Sequence, residues 1–336
     1  VEAVVAAALR GLNRYPDGAA RALRRALADR HGVDPAQVAV GNGSCELIVL
    51  AGQALADPGT TVVHAWPSFA MYPHVAAAAG AASVAVPLAP DGGLDLDAMA
   101  AAVDERTRLV LLCNPNNPTG VYRSADEIAR FLDLVPEDLA VLVDEAYFDF
   151  VSPPDAGRVM VMARTRPNLL VTRTFSKAYG LCGLRVGYGV GGAAWVGALD
   201  TVRQPFNTTT LGQVAALESL RHPSAIHARV QEAVRERGRV AAALAAMGVP
   251  ALPSEGNFLL LSPDDGILAG PSDPPGPGAP SLHERLLMQG VIVRDGAALG
   301  CPGRLRVTIG SPAENDAFLA AMAAVREGVP QTTHAE

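Results

Sequence analysis

Three uninterrupted apolar runs in this chain each stop abruptly at polar side chains with chemistry to offer. Residues 109–120 read LVLLCNPNNPTG, residues 139–147 read LAVLVDEAY and residues 169–187 read LLVTRTFSKAYGLCGLRVG. A short apolar run bounded by turn residues is the pattern of a buried strand whose polar end emerges at its carboxyl terminus. Helix-period segments alternate with such runs from about residue 36 to about residue 192, which predicts an α/β domain. In an open parallel sheet, ligands sit outside the carboxyl ends of the strands. The side chains delivered there are Asn117, then Asp144 with Tyr147, then Thr174, Ser176 and Lys177, with Arg185 a few residues further on.

Each end has an ordinary explanation when taken alone. Asp144 could cap a helix, and Lys177 could be a surface lysine before a glycine-rich turn. A carboxylate buried without a partner is costly, so Asp144 otherwise neutralises or finds a cation, and a protonated pyridine ring is one. A lysine fixed beyond a hydrophobic strand, among hydroxyls and a second cation, suits a carbonyl held beside a phosphate. Converging on one crevice, the three ends offer an amine for a carbonyl, a carboxylate for a ring nitrogen, and a phenol plus an amide for a ring oxygen. That combination describes a pyridoxal phosphate site.

Seven motifs carry a resemblance over nearly the whole chain: LNRYPDG (12–18), GNGSCELI (41–48), AWPSFAMYP (65–73), NPNNPTG, VDEAY, TFSKAYGLCGLRVG and RLRVTIG (304–310). In that order they resemble the fold type I pyridoxal phosphate enzymes, and within them the histidinol-phosphate aminotransferase family with its aromatic aminotransferase relatives. The resemblance implies a large domain with a mixed, mostly parallel sheet between helices and a smaller α+β carboxyl-terminal domain. It implies that Lys177 joins the cofactor aldehyde and carries the proton, that Asp144 pairs with the ring nitrogen, and that Tyr147 and Asn117 hold the ring oxygen. Phe69 falls where an aromatic ring stacks on the cofactor. Backbone amides at Ser44 and Cys45, the hydroxyls of Thr174 and Ser176, and Arg185 would hold the phosphate. Tyr15 matches a tyrosine that reaches the neighbouring subunit's phosphate, implying a homodimer with shared sites.

Arg306 matches the arginine for the substrate carboxylate, while Arg294, in GVIVRDG, is either a second cation near the substrate or a structural arginine at a strand end. Asn257 and Phe258 belong to the same expected wall, and Asn117 is expected to touch the substrate as well. The implied activity is ping-pong transamination of a small-molecule amino donor and an oxo-acid acceptor, with histidinol phosphate and 2-oxoglutarate leading. An aromatic aminotransferase is the alternative, and a phosphothreonine decarboxylase follows.

Cys45 departs from the family, which usually has aspartate there, and reads as a small buried thiol. The family's substrate-covering arm would lie ahead of Val1.

With 336 residues and 49% hydrophobic content, the chain has material for one large and one small core. The expected division is an amino-terminal segment 1–30, a large cofactor domain 31–228 and a small domain 229–336. A formal charge of −7 argues against nucleic acid. The alanine tract after Pro73 is broken by Gly80 and Pro87 well short of the roughly 20 apolar residues a span needs, so no membrane is expected and the cytoplasm is the default. Four scattered cysteines without a CxxC pair argue against disulfide and metal frameworks. Ser124 with Glu127 predicts a capping box. Helices are predicted over residues 211–220 and about 225–247, and residues 268–280 read as a proline- and glycine-rich loop.

Overall fold

The computed structural model describes residues 1–262 and 280–327. The predicted loop at residues 268–280 lies, but for Pro280, outside the described residues.

Seven strands form the main sheet: β1 Val38–Gly41, β2 Thr61–Trp66, β3 Ala82–Pro87, β4 Thr107–Cys113, β5 Ala140–Asp144, β6 Leu169–Thr174 and β7 Gly187–Gly191. Their order is β1-β7-β6-β5-β4-β2-β3. The run from β3 to β6 is parallel, whereas β7 is antiparallel to both neighbours. The sheet is therefore mixed and mostly parallel. Helices cover both faces, and strand side chains alternate between two cores. Val110, Leu112, Val141, Val143 and Val171 enter one core; Leu109, Leu111, Cys113, Leu142 and Leu170 enter the other. The capping box is present, with Ser124 Oγ accepting from the Glu127 amide at the start of helix Ala125–Leu134.

The reversed β7 decides what stands at the site. Its first residue, Gly187, lies opposite both Gly41 at the end of β1 and Thr174 at the end of β6. Arg185, just ahead of it, is thereby placed at the carboxyl ends of the parallel strands. A Cβ on Gly187 would collide with the Ser44 backbone nitrogen. Gly187→Ala is expected to displace the Gly43–Ser44 turn and to weaken retention of the pyridoxal phosphate that the motifs imply at least tenfold, about 1.4 kcal/mol. Equilibrium dialysis of the variant against pyridoxal phosphate checks this.

Strands β8 Phe258–Leu261, β9 Arg294–Asp295 and β10 Leu305–Thr308 form an antiparallel sheet in the order β8-β10-β9. Its core joins Leu259, Leu261, Leu305 and Val307 to Val240 and Leu244 of the helix Pro223–Ala246 and to Phe318 and Met322 of Pro312–Glu327. Helices span Thr210–Ser219 and Pro223–Ala246, within two residues of the ranges the sequence predicts. The longer one runs across the expected boundary at residue 228. Its buried Arg237 donates to the carbonyls of Phe150 and Gly256 and pairs with Glu255 at 2.9 Å, tying the two sheets' surroundings together. Among the described residues no helix is long and apolar enough to cross a membrane, and no His, Cys, Asp and Glu cluster could hold a metal ion.

Candidate active site

A cavity of about 180 Å³ opens at the carboxyl ends of the strands, lined by Ser44, Cys45, Phe69, Asn117, Asp144, Tyr147, Thr174, Ser176, Lys177 and Arg185, together with Cys113, Ala146 and Cys182. Ten residues singled out in the sequence therefore meet in one place, although they come from five separate segments.

One end is built for an anion. Gly43, at φ 79, turns the chain so that the helix Ser44–Leu55 starts at the cavity wall with its first amides free of helical partners. Arg185 closes that end: Nη1 donates to Ser176 Oγ at 3.3 Å and to the Cys182 carbonyl at 2.9 Å, while Nη2 passes 2.5 Å from where a Gly43 Cβ would stand. Arg185 itself takes a left-handed backbone, φ 54, a conformation that costs a non-glycine residue energy and recurs at functional sites. Thr174 Oγ1 lies 3.0 Å from Ser176 Oγ, which aligns both hydroxyls with the guanidinium.

Asp144 forms the floor. Consecutive residues of a strand face opposite sides, so Asp144 enters the cavity while Glu145 turns to the other face. There Arg173 meets Glu145 at 2.8 Å and lies over the Phe148 ring. Asp144 is 3% exposed. Its Oδ1 accepts from the Ala146 amide at 3.2 Å and from Thr172 Oγ1 at 3.3 Å, and its Oδ2 from the Tyr72 hydroxyl at 3.5 Å. No cation pairs with it among the described residues. Burial raises its pKa from 3.8 to about 6, against the pull of those donors and of Lys177. Asp144 is not a helix cap; the N-cap position of the short 3₁₀ turn that follows is Tyr147, which makes no side-chain capping bond.

Lys177 Nζ makes no hydrogen bond or ion pair among the described residues and sits 5.3 Å from the centre of the Tyr147 ring. Loss of hydration lowers its pKa first, reinforced by Arg306 and Arg185. Tyr147 is held edge-on against Phe258, ring centres 4.9 Å apart, and burial pushes its phenol up. Phe69 meets Tyr72 at 5.7 Å and 89°.

Arg306 and Arg294 stand outside this cavity, facing each other across the β9–β10 ladder. Arg306 Nη1 donates to Asn117 Oδ1 at 2.5 Å, whereas its buried Nε has no partner among the described residues. Asn257 lines a neighbouring cavity of about 280 Å³ that Lys177 and Ser311 share. Tyr15 does not line the cavity in the single chain: it is 81% exposed and stacks on Phe206 at 4.7 Å. Cys45 is half-buried rather than fully buried, because its side chain borders open space in the cavity. Burial raises its thiol's pKa. Trp66 lies against Gly300, where a Cβ would come within 2.9 Å of the indole, so it packs against the loop between the two arginines.

Sequence reasoning missed Tyr72, Cys113, Thr172 and Cys182 at the cavity or just behind it. Cys113 and Thr172 carried a usable signal, since both lie on the strand face that presents Asp144.

Residues 1–322 match the family described as Aminotransferase class I and II. The chain belongs to that family. A histidinol-phosphate aminotransferase 2 from Ralstonia nicotianae is 43% identical to this aminotransferase over 94% of the chain and 82% of its own length. An aromatic amino acid aminotransferase from Rhodococcus erythropolis is 44% identical over 95% and 84%. Among solved structures, the histidinol-phosphate aminotransferase from Sinorhizobium meliloti, in complex with pyridoxal-5'-phosphate, superposes with TM-score 0.86 at 28% identity, covering 97% of this chain and 86% of that one. The aminotransferase thus has the fold type I architecture expected from its motifs.

Proposed function

We propose that this aminotransferase binds pyridoxal 5'-phosphate in the 180 Å³ cavity and exchanges an amino group between histidinol phosphate and 2-oxoglutarate. The donor set fits the cofactor: a helix start with an arginine and two hydroxyls for a phosphate, a buried carboxylate without an ion-pair partner for a ring nitrogen, and a lysine without a hydrogen bond for an aldehyde, both as seen among the described residues. When bound, the cofactor supplies a carbonyl that accepts the amino group and a cationic ring that draws away the electron pair left at the substrate's α-carbon.

Each residue then has a physical task. Phe69 and Ala146 both line the cavity that would take the flat ring, and Asn117 and Tyr147, which line it too, would hold the ring oxygen. Lys177, with its lowered pKa, has a neutral amine more readily than an exposed lysine and takes the α-proton at Nζ before returning it. Arg306 receives the α-carboxylate of glutamate. Tyr15 serves the site of a second copy in a homodimer; its exposure leaves the phenol available for that role.

One observation carries the substrate assignment. Arg294 and Arg306 are direct cross-strand partners, and like charges so placed repel. With Arg306 Nε buried and unsatisfied, the pair suits a doubly charged anion better than a flat uncharged ring. Histidinol phosphate offers such a group. Arg294→Gln is expected to raise KM for histidinol phosphate about tenfold to a hundredfold, the value of one hydrogen bond to a charged group, and to leave phenylalanine turnover nearly unchanged. Half-reactions with histidinol phosphate, phenylalanine, glutamate and phosphothreonine, followed by loss of the bound cofactor's visible band and by product analysis, test the reading. Rapid reaction with phenylalanine and none with histidinol phosphate transfers the assignment to the aromatic branch, which the 44% identical relative favours. Carbon dioxide release from phosphothreonine transfers it to a decarboxylase.

A further inference from the structure

We infer that Tyr72 is a positioning residue for the reaction, one side chain that fixes both the carboxylate below the cofactor ring and the aromatic ring stacked on it. This rests on the cofactor placement proposed above. Tyr72 lies in the helix Met71–Ala78 and is completely buried, yet its hydroxyl meets an acceptor there, 3.5 Å from Asp144 Oδ2. Its ring edge meets Phe69 at 5.7 Å and 89°, so a single side chain touches both. His64 backs the phenol, ring centres 5.9 Å apart.

The direction of the hydrogen bond is determined by its surroundings. A tyrosine hydroxyl has one proton to donate. Cys113 Sγ adjoins the same hydroxyl, but its own proton is directed to the Pro115 carbonyl at 3.4 Å, and sulfur is the weaker acceptor. The phenol therefore donates to Asp144. At 3.5 Å the contact is long, and ionisation of the carboxyl shortens such bonds. The titratable groups facing that carboxyl are the Tyr72 and Tyr147 phenols, the Cys45 and Cys113 thiols and the Lys177 amine. Only Tyr72 among them reaches it by a hydrogen bond, and among the described residues it is the only donor to Oδ2; Thr172 and Ala146 both serve Oδ1. Without Tyr72, Oδ2 keeps no donor among the described residues, and the carboxyl is free to protonate there or rotate.

Tyr72→Phe removes the hydroxyl and keeps the ring, so the packing against Phe69 and His64 is retained. In cofactor-free protein, the carboxyl titration of Asp144, followed by infrared spectroscopy with isotope-labelled aspartate, should move up by about one pH unit relative to wild type, the value of a hydrogen bond to a charged group. In the loaded protein, ¹⁵N resonance of labelled cofactor should report a smaller protonated fraction of the ring nitrogen, with kcat reduced about tenfold and KM nearly unchanged. Tyr72→Leu, which also removes the edge contact to Phe69, should add a loss of cofactor affinity that Tyr72→Phe does not show.

An unmoved carboxyl titration in Tyr72→Phe overturns the inference, even if activity falls, because loss of packing alone would leave that titration in place. Equal cofactor affinity of the Leu and Phe variants overturns the Phe69 half of it. Should wild-type protein bind no pyridoxal phosphate, the cofactor reading fails instead, and the cofactor-free titration still reports on Tyr72 and Asp144.

Discussion

Lys177→Ala is expected to abolish transamination while leaving the fold and the anion-binding end intact. The amine has no hydrogen bond or ion pair among the described residues, so its removal breaks nothing that holds β6 to its neighbours. What disappears is the group proposed to move the α-proton. A positioned acid–base group contributes up to about 10⁴-fold, and its surroundings offer no substitute: burial raises the phenol of Tyr147, and an arginine side chain does not act as a base in proteins. The loss should therefore be of the order of 10⁴-fold in kcat. Stopped-flow single turnovers with glutamate measure it, and borohydride treatment of the loaded wild type should mark Lys177 by mass spectrometry where the variant shows no labelled lysine. Turnover within about tenfold of wild type would refute the role given to this side chain.

The strand ends were legible because their chemistry is local. An apolar run can be buried as a strand only if its polar residues emerge at the end, and Asn117, Asp144, Thr174 and Lys177 all do so. Fold class followed from the alternation of these runs with helical periods, and the capping box from Ser124 and Glu127 alone. Features that depend on pairing were not legible. Nothing in GYGVG announces that β7 runs against its neighbours, although that reversal brings Arg185 beside Ser176. Nor does the spacing of Arg294 and Arg306 reveal that they face one another, since register is a property of the folded ladder. Tyr72 escaped notice for another reason. In the string AWPSFAMYP it looks like one more packing aromatic, and only the third dimension shows its hydroxyl against a carboxylate from a strand more than seventy residues away.

Asp144→Asn should give an enzyme that still takes up cofactor but turns over roughly a thousandfold more slowly. Opposite charges about 4 Å apart at an effective dielectric of about 20 attract by roughly 4 kcal/mol, and a barrier raised by that amount slows a reaction by about 10³. The amide keeps the size of the carboxyl and can still accept from Thr172 and Ala146, so the defect is one of charge. Stability gives an independent reading of the same residue. In cofactor-free protein the folded carboxyl titrates near 6, above its ordinary value of 3.8, because burial disfavours the charged form. The folded state thus holds its proton longer than the unfolded state, and stability falls as pH rises from about 4 to about 6. Above that window wild type bears a constant penalty of about 3 kcal/mol, which the asparagine variant lacks. Denaturant titrations should accordingly show Asp144→Asn more stable than wild type at pH 7 without cofactor, and no more stable near pH 3. Adding cofactor should reverse the order at pH 7, since an attraction of roughly 4 kcal/mol exceeds the penalty. A variant whose advantage survives saturation with cofactor would mean that no cation reaches the carboxylate, and the assignment of Asp144 to the ring nitrogen would fall with it.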